Sequence, residues 1–267
     1  MTSVDPIVLA LVAGLFTYFM TAVGAAGVFL QRNPSRRTLD VLLGFSAGVM
    51  LAASYWSLLA PSAEIAAQSG GIAWLPTAIG FAAGGLGLWG LDKILPHAHR
   101  IWPELQVREG LATHWRRSTL VLLAITLHHI PEGLAIGVAA GASAAGAPQA
   151  TVGAAIALGI GLGLQNLPEG LAVATLLVRE GETQKRAFFW GQMTGIVEPF
   201  AAVIGAMLIG ISIALLPYGL AFAAGAMVFV VIEELVPECQ RSGHADSAVL
   251  AAIIGFTLMT ILDIALA

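Results

Sequence analysis

Charge is what this 267-residue chain has least of: Asp, Glu, Lys and Arg make up only 10% of it, where a soluble domain carries about 25%. So few ionic groups, beside 58% hydrophobic residues, cannot clothe a water-facing surface, which excludes a soluble globular protein and points to an integral membrane one. Alternation of polar and apolar residues is also missing, which excludes a lipid-embedded β-barrel. A basic leader and a cleavage site are absent before the first apolar run, so that run is expected to be retained. With one cysteine, Cys239, placed by its neighbours in a polar loop, no internal disulfide can form. No basic cluster of the kind that binds nucleic acid stands out, and no nucleic-acid partner is expected.

What is present is a succession of Ala-, Gly- and Leu-rich segments near the roughly 20 residues that cross a bilayer as helix. They fall at about 7–30, 39–60, 74–95, 119–140, 152–178, 187–213, 219–236 and 248–266. The expectation is an all-α membrane bundle of eight spans, one transporter-like domain over 1–267, with a polar loop at about 96–118. Basic residues gather at alternate span ends: Arg32, Arg36 and Arg37; Lys93, Arg100, Arg108, Arg116 and Arg117; Arg179, Lys185 and Arg186; Arg241. The loops "PSAEIAAQSGG", "GASAAGAPQA" and "LLPYG" and both termini have none. Positive charge near span ends favours the cytoplasmic side, so both termini are expected to be extracytoplasmic, in the cell (inner) membrane.

The chain also repeats itself with inverted direction. Span 2 begins "FSAGVM" at Phe45 and span 7 "FAAGAM" at Phe222; span 3 ends "LDKIL" at Leu91 and span 8 "LDIAL" at Leu262. Spans 1–3 therefore match 6–8, and "HHIPEGLAIG" of span 4 matches "QNLPEGLAVA" of span 5. Inverted repeats whose interrupted helices meet near the midplane are a pattern of secondary transporters.

Counting along each span puts His129, Gln165 and Met50 at mid-depth, with Glu198 slightly to the cytoplasmic side. Residues three or four apart share a helix face, so Glu132 stands beside His128 and His129, and Glu169 beside Gln165 and Asn166. Pro131 and Pro168 each remove a backbone donor within those turns. An ionised side chain at the bilayer centre costs at least about 2.5–3.5 kcal/mol, and Glu132, Glu169 and Glu198 make three with no Lys or Arg at their depth. Protons, water or bound cations must supply the countercharge. Imidazole, carboxylate and amide oxygen together suit first-row divalent metal ions.

At "HHIPEG", "QNLPEG" and Glu198-Pro199 the sequence resembles the ZIP (Zrt/Irt-like protein) metal transporters, in particular their bacterial branch, over all eight spans. The resemblance implies uptake of divalent metal toward the cytoplasm, Zn2+ first and Fe2+, Mn2+ or Cd2+ beside it. The ion is the transported substrate, and no cofactor is expected. It implies a first metal site of Met50, His128, Glu132, Gln165 and Glu169 and a second of His129, Glu132, Asn166, Glu169 and Glu198, bridged by the shared glutamates. Met50 rests on the resemblance alone. The family usually has Asn where this chain has His129, and often a carboxylate where it has Asn166. An elevator-like motion of spans 1, 4, 5 and 6 against 2, 3, 7 and 8, and a homodimer, are further implications.

Lesser acidic and histidine residues divide by position. Glu64 stands at an entrance, and Glu233, Glu234, Glu238 and His244 cluster at the inner end of span 7, where an inward-moving ion would leave; a plain solvated role competes in each case. His97, His99 and His114 offer loose chelation in the polar loop. Asp92 and Asp263, equivalent in the repeat, are expected to hydrogen-bond neighbouring helices. An intramembrane metallohydrolase using His129 and Glu132 is the rival reading, without the "HExxH" such enzymes use. A passive channel is the other, disfavoured because tight carboxylate sites release ions slowly.

Overall fold

Apolar helices dominate the computed structural model, which describes residues 5–31, 34–68, 72, 74–94, 117–144, 151–241 and 243–266. No strand occurs among the described residues. Among the described residues, eight helices are long and apolar enough to cross a membrane: α1 (Pro6–Leu30), α2 (Arg36–Gln68), α3 (Trp74–Ile94), α4 (Arg117–Ala144), α5 (Val152–Arg179), α6 (Gln184–Ile211), α7 (Leu216–Gln240) and α8 (Ala245–Leu266). Their starts are set by local chemistry. The side chains of Asp5, Ser35, Thr151 and Thr183 each accept a hydrogen bond from a first-turn amide of α1, α2, α5 and α6. Beyond α5 the chain reverses through Gly181, whose φ of 95° is one that side chains resist.

The main departures from the sequence expectation are at the ends of α2 and α7, which run well past residues 60 and 236. Each contains a widened π turn, at Ser54–Leu59 and Val231–Leu235, and each π turn is followed by a proline, Pro61 and Pro237. Proline cannot give the regular hydrogen bond four residues back. The wider turn shifts the bonding pattern just before it, so the helix continues instead of ending. Cys239 is accordingly in the last helical turn of α7 and buried, not in a polar loop.

The helices form two groups. The most extensive packing is α1 on α5, α4 on α6, α2 on α8 and α3 on α7. In the repeat α1 corresponds to α6 and α5 to α4, so the first two pairings are copies of each other; so are the last two. Small residues permit this closeness. A Cβ on Gly48 of α2 would collide with the carbonyl of Ala252 in α8, and a Cβ on its repeat mate Gly225 with the carbonyl of Phe81, the mate of Ala252. The reverse contacts, Gly255 on Phe45 and Gly84 on Phe222, match as well. The two π turns also lie at equivalent places.

The group of α1, α4, α5 and α6 meets the group of α2, α3, α7 and α8 chiefly through α2 on α5 and α7 on α4. Burial follows: 72% of the apolar window of α5 is covered, but only 17% of that of α3 and 22% of that of α8, which leaves the latter two on the outside of the bundle. Asp263 of α8 accepts a 2.6 Å hydrogen bond from Ser57 in the π turn of α2, as expected for a helix-tying aspartate.

Candidate metal site

Motif positions that read as mid-depth converge in the structure. Pro131 and Pro168 lie within the continuous helices α4 and α5, and the polar side chains of the same turns point inward. His129, Glu132, Gln165, Asn166, Glu169 and Glu198 are all buried. One ligand atom from each of His129, Glu132 and Glu198 can be chosen so that all three lie within 4.8 Å of one another.

Hydrogen bonds fix the cluster. The Gln165 amide donates to Glu132 Oε2 at 2.8 Å and also contacts Asn166 Oδ1. The Asn166 amide donates to both Glu198 oxygens at 2.9 and 3.0 Å and to the carbonyl of Thr17 on α1 at 3.2 Å. His129 Nδ1 lies 2.8 Å from the Ile125 carbonyl, which can only accept, so this nitrogen carries the proton. In the neutral ring Nε2 is then the acceptor nitrogen; it sits 3.4 Å from Glu198 and 4.0 Å from Glu169. Glu132 Oε1 and Gln165 Oε1 are buried without a hydrogen-bond partner among the described residues. Two acceptor oxygens so placed, beside converging carboxylates, form a donor set that a hard or borderline divalent cation would satisfy.

Known proteins similar in sequence point to one family. A sequence model described as the ZIP zinc transporter matches residues 103–263. The chain is 40% identical to "Zinc transporter ZIP11" of Homo sapiens over 332 aligned positions, covering 96% of this chain and 97% of that one. The chain belongs to the ZIP family. "Zinc transporter GufA" of Myxococcus xanthus is 39% identical, covering 96% of this chain and 98% of that protein. "Zinc transporter ZupT" of Escherichia fergusonii is 31% identical over 95% and 94% of the two chains.

The remaining candidate ligands of this ZIP chain sit around the same cluster. His128 is half-buried and, with Glu169, lines a small cavity opposite Glu234 of α7. Met50 is fully buried on α2. One turn before it Ser46 donates to the Gln165 carbonyl at 2.9 Å, so the face that carries both is turned to α5. The candidates at the C-terminal end of α7 separate. Glu234 is buried facing the cluster, whereas Glu238 is bound to Arg36 at 2.7 Å and His244 lies 3.2 Å from Asp40, which Arg36 also holds. Glu233 is half-buried and Glu64 exposed, and neither is among the cluster residues. His97, His99 and His114 lie outside the described residues.

Thr17 and Ser46 join the site without having stood out in the sequence. The repeat carries a signal for Ser46: it is the hydroxyl in "FSAGVM" where "FAAGAM" has Ala223. Thr17 meets Asn166 through its backbone carbonyl, which no residue type announces, and its side chain also reaches Glu198.

Proposed function

We propose that the protein carries divalent transition-metal ions through the bilayer toward the cytoplasm by alternating access, Zn2+ foremost, with Fe2+, Mn2+ or Cd2+ as further substrates. One observation carries this reading: His129, Glu132 and Glu198 meet within 4.8 Å in the buried middle of the bundle. Buried carboxylates need a counterion there, and a dication that binds and leaves would supply it. The names of the relatives, all zinc transporters, speak for zinc.

In this reading Met50, His128, Glu132, Gln165 and Glu169 hold a first ion, and His129, Glu132, Asn166, Glu169 and Glu198 a second. The amides of Gln165 and Asn166 hold the glutamates while no ion is bound. They turn their oxygens inward as an ion enters, an exchange that costs little because amide groups offer both a donor and an acceptor. Glu234 receives the outgoing ion from His128 and Glu169, with which it shares a cavity.

An elevator-like movement of α1, α4, α5 and α6 is supported by a broken symmetry. At the arginine-rich end, Leu43, Leu176, Arg179 and Glu238 line a cavity of about 300 Å³ between the groups. Their repeat mates, Leu220, Ala139, Ala142 and Pro61, line one of only about 10 Å³ at the opposite end. Glu234 faces His128 and Glu169, yet its mate Ser57 lies with Ala139 and Ala142 rather than level with Glu132. From Glu132 to Ala139 is roughly 10 Å at the helical rise of about 1.5 Å per residue. Exchange of the two halves' relations requires a slide of that order. The arginine-rich end is cytoplasmic in this reading, both termini are outside, the host membrane is the inner membrane, and the protein works as a homodimer.

Purified protein in liposomes tests the proposal. Uptake of Zn2+ should saturate with concentration and be competed by the other divalent ions. If no divalent ion moved while a peptide was cleaved, the hydrolase would replace the transporter.

A further inference from the structure

The two repeat-related contacts between the helix groups are not equivalent in hydrogen bonding, and Ser46 is the source of the difference. Its hydroxyl is fully buried and donates to the backbone carbonyl of Gln165 at 2.9 Å. Ser46 belongs to α2, in one group of helices, and Gln165 to α5, in the other, so this bond spans the surface along which the groups would slide. The repeat shows what becomes of it. The mate of Ser46 is Ala223 on α7, and the mate of Gln165 is His128 on α4. Ala223 now lines an apolar cavity with Leu134 and Val138, beyond His128 in the direction of the closed end. When the halves exchange relations, Ala223 comes level with His128 and offers no donor, while Ser46 leaves Gln165.

We propose that Ser46 is a positioning residue: its hydrogen bond to the Gln165 carbonyl holds the ion-binding helices in the state open at the arginine-rich end and has no counterpart in the opposite state. The proposal rests on the alternating-access reading. It gives the cycle a built-in resting side and aligns a candidate ligand there through its backbone. Loss of one neutral buried hydrogen bond shifts a two-state balance by roughly two- to tenfold.

The test uses the full chain with Cys239→Ala and one reporter at a time. Ala139→Cys sits at the end that is now closed, and Leu176→Cys at the open end. A membrane-impermeant maleimide is applied from the matching side. Ser46→Ala should raise the labelling rate of Ala139→Cys roughly two- to tenfold and leave that of Leu176→Cys unchanged or lower. Ser46→Thr should restore the parent rates, and adding Ala223→Ser to Ser46→Ala should raise Ala139→Cys labelling further. General loosening would raise both reporters together, and that result overturns the proposal; so does no change in either. Saturable Zn2+ uptake by the parent protein, measured in the same liposomes, tests the transport reading separately.

Discussion

Glu169 stands between two sets of neighbours, His129 on one side and the cavity with His128 on the other, so its removal strikes both proposed ions at once. Glu169→Ala should abolish Zn2+ uptake in liposomes while the protein still elutes as a folded species; uptake above a tenth of the parent rate would remove Glu169 from the site. The two histidines should part company. His128 opens on the cavity toward Glu234, the proposed route of departure, and His128→Ala should stop transport or slow it severely. His129 does not line that cavity; it is tied to the Ile125 carbonyl and lies against Glu198. His129→Ala should chiefly change rate and the preference among Zn2+, Cd2+ and Mn2+, read from competition uptake. Equal loss of transport in both variants would contradict this division. At this scale the sequence is readable where a side chain is costly to bury: three glutamates and two histidines in hydrocarbon advertise themselves. Cys239 is not readable in the same way, because its polar neighbours hide the last turn of α7.

Helix pairs carry their own test, because the contacts at Gly48 and Gly225 leave no room for a side chain. Gly48→Leu must separate α2 from α8 and should lower stability by about 1–3 kcal/mol, the usual cost of overpacking. A Cβ at Gly90 would meet nothing within 4 Å, so that position should accept Ala with no loss. Thermal unfolding in detergent, followed by tryptophan fluorescence, compares them; equal melting temperatures would mean that these close approaches do not support the fold. The eight helices themselves are legible because apolar length and the sidedness of arginine are long-range signals that survive local detail. The ends of α2 and α7 are not, since Pro61 and Pro237 read as stops. The π turns that absorb them depend on packing: Ser62 beyond the first one is anchored by a 2.7 Å bond to the Pro217 carbonyl of α7.

At the scale of the whole molecule, the inverted repeat is visible in short motifs, but the asymmetry between its halves is not, because in the proposed cycle one sequence serves both end states and names neither. In the proposed cycle the inequality between the 300 Å³ and 10 Å³ cavities belongs to one state, and it yields the strongest test of motion. Ala139 of α4 and Leu220 of α7 line the closed end together, one from each group. Cysteines at these two positions, joined by a short thiol-specific cross-linker in a Cys239→Ala background, should lock the protein and stop Zn2+ uptake. A cleavable linker should give the activity back on reduction. Val28 of α1 and Ala174 of α5 pack in a single buried cluster inside one group, and a slide would carry them together. Cysteines there, linked by the same reagent, should leave uptake close to that of the unlinked protein. A cycle confined to side chains and the π turns would let transport survive the Ala139–Leu220 link, whereas sliding groups cannot pass it, so uptake by that linked protein would refute the elevator and leave the ion site standing.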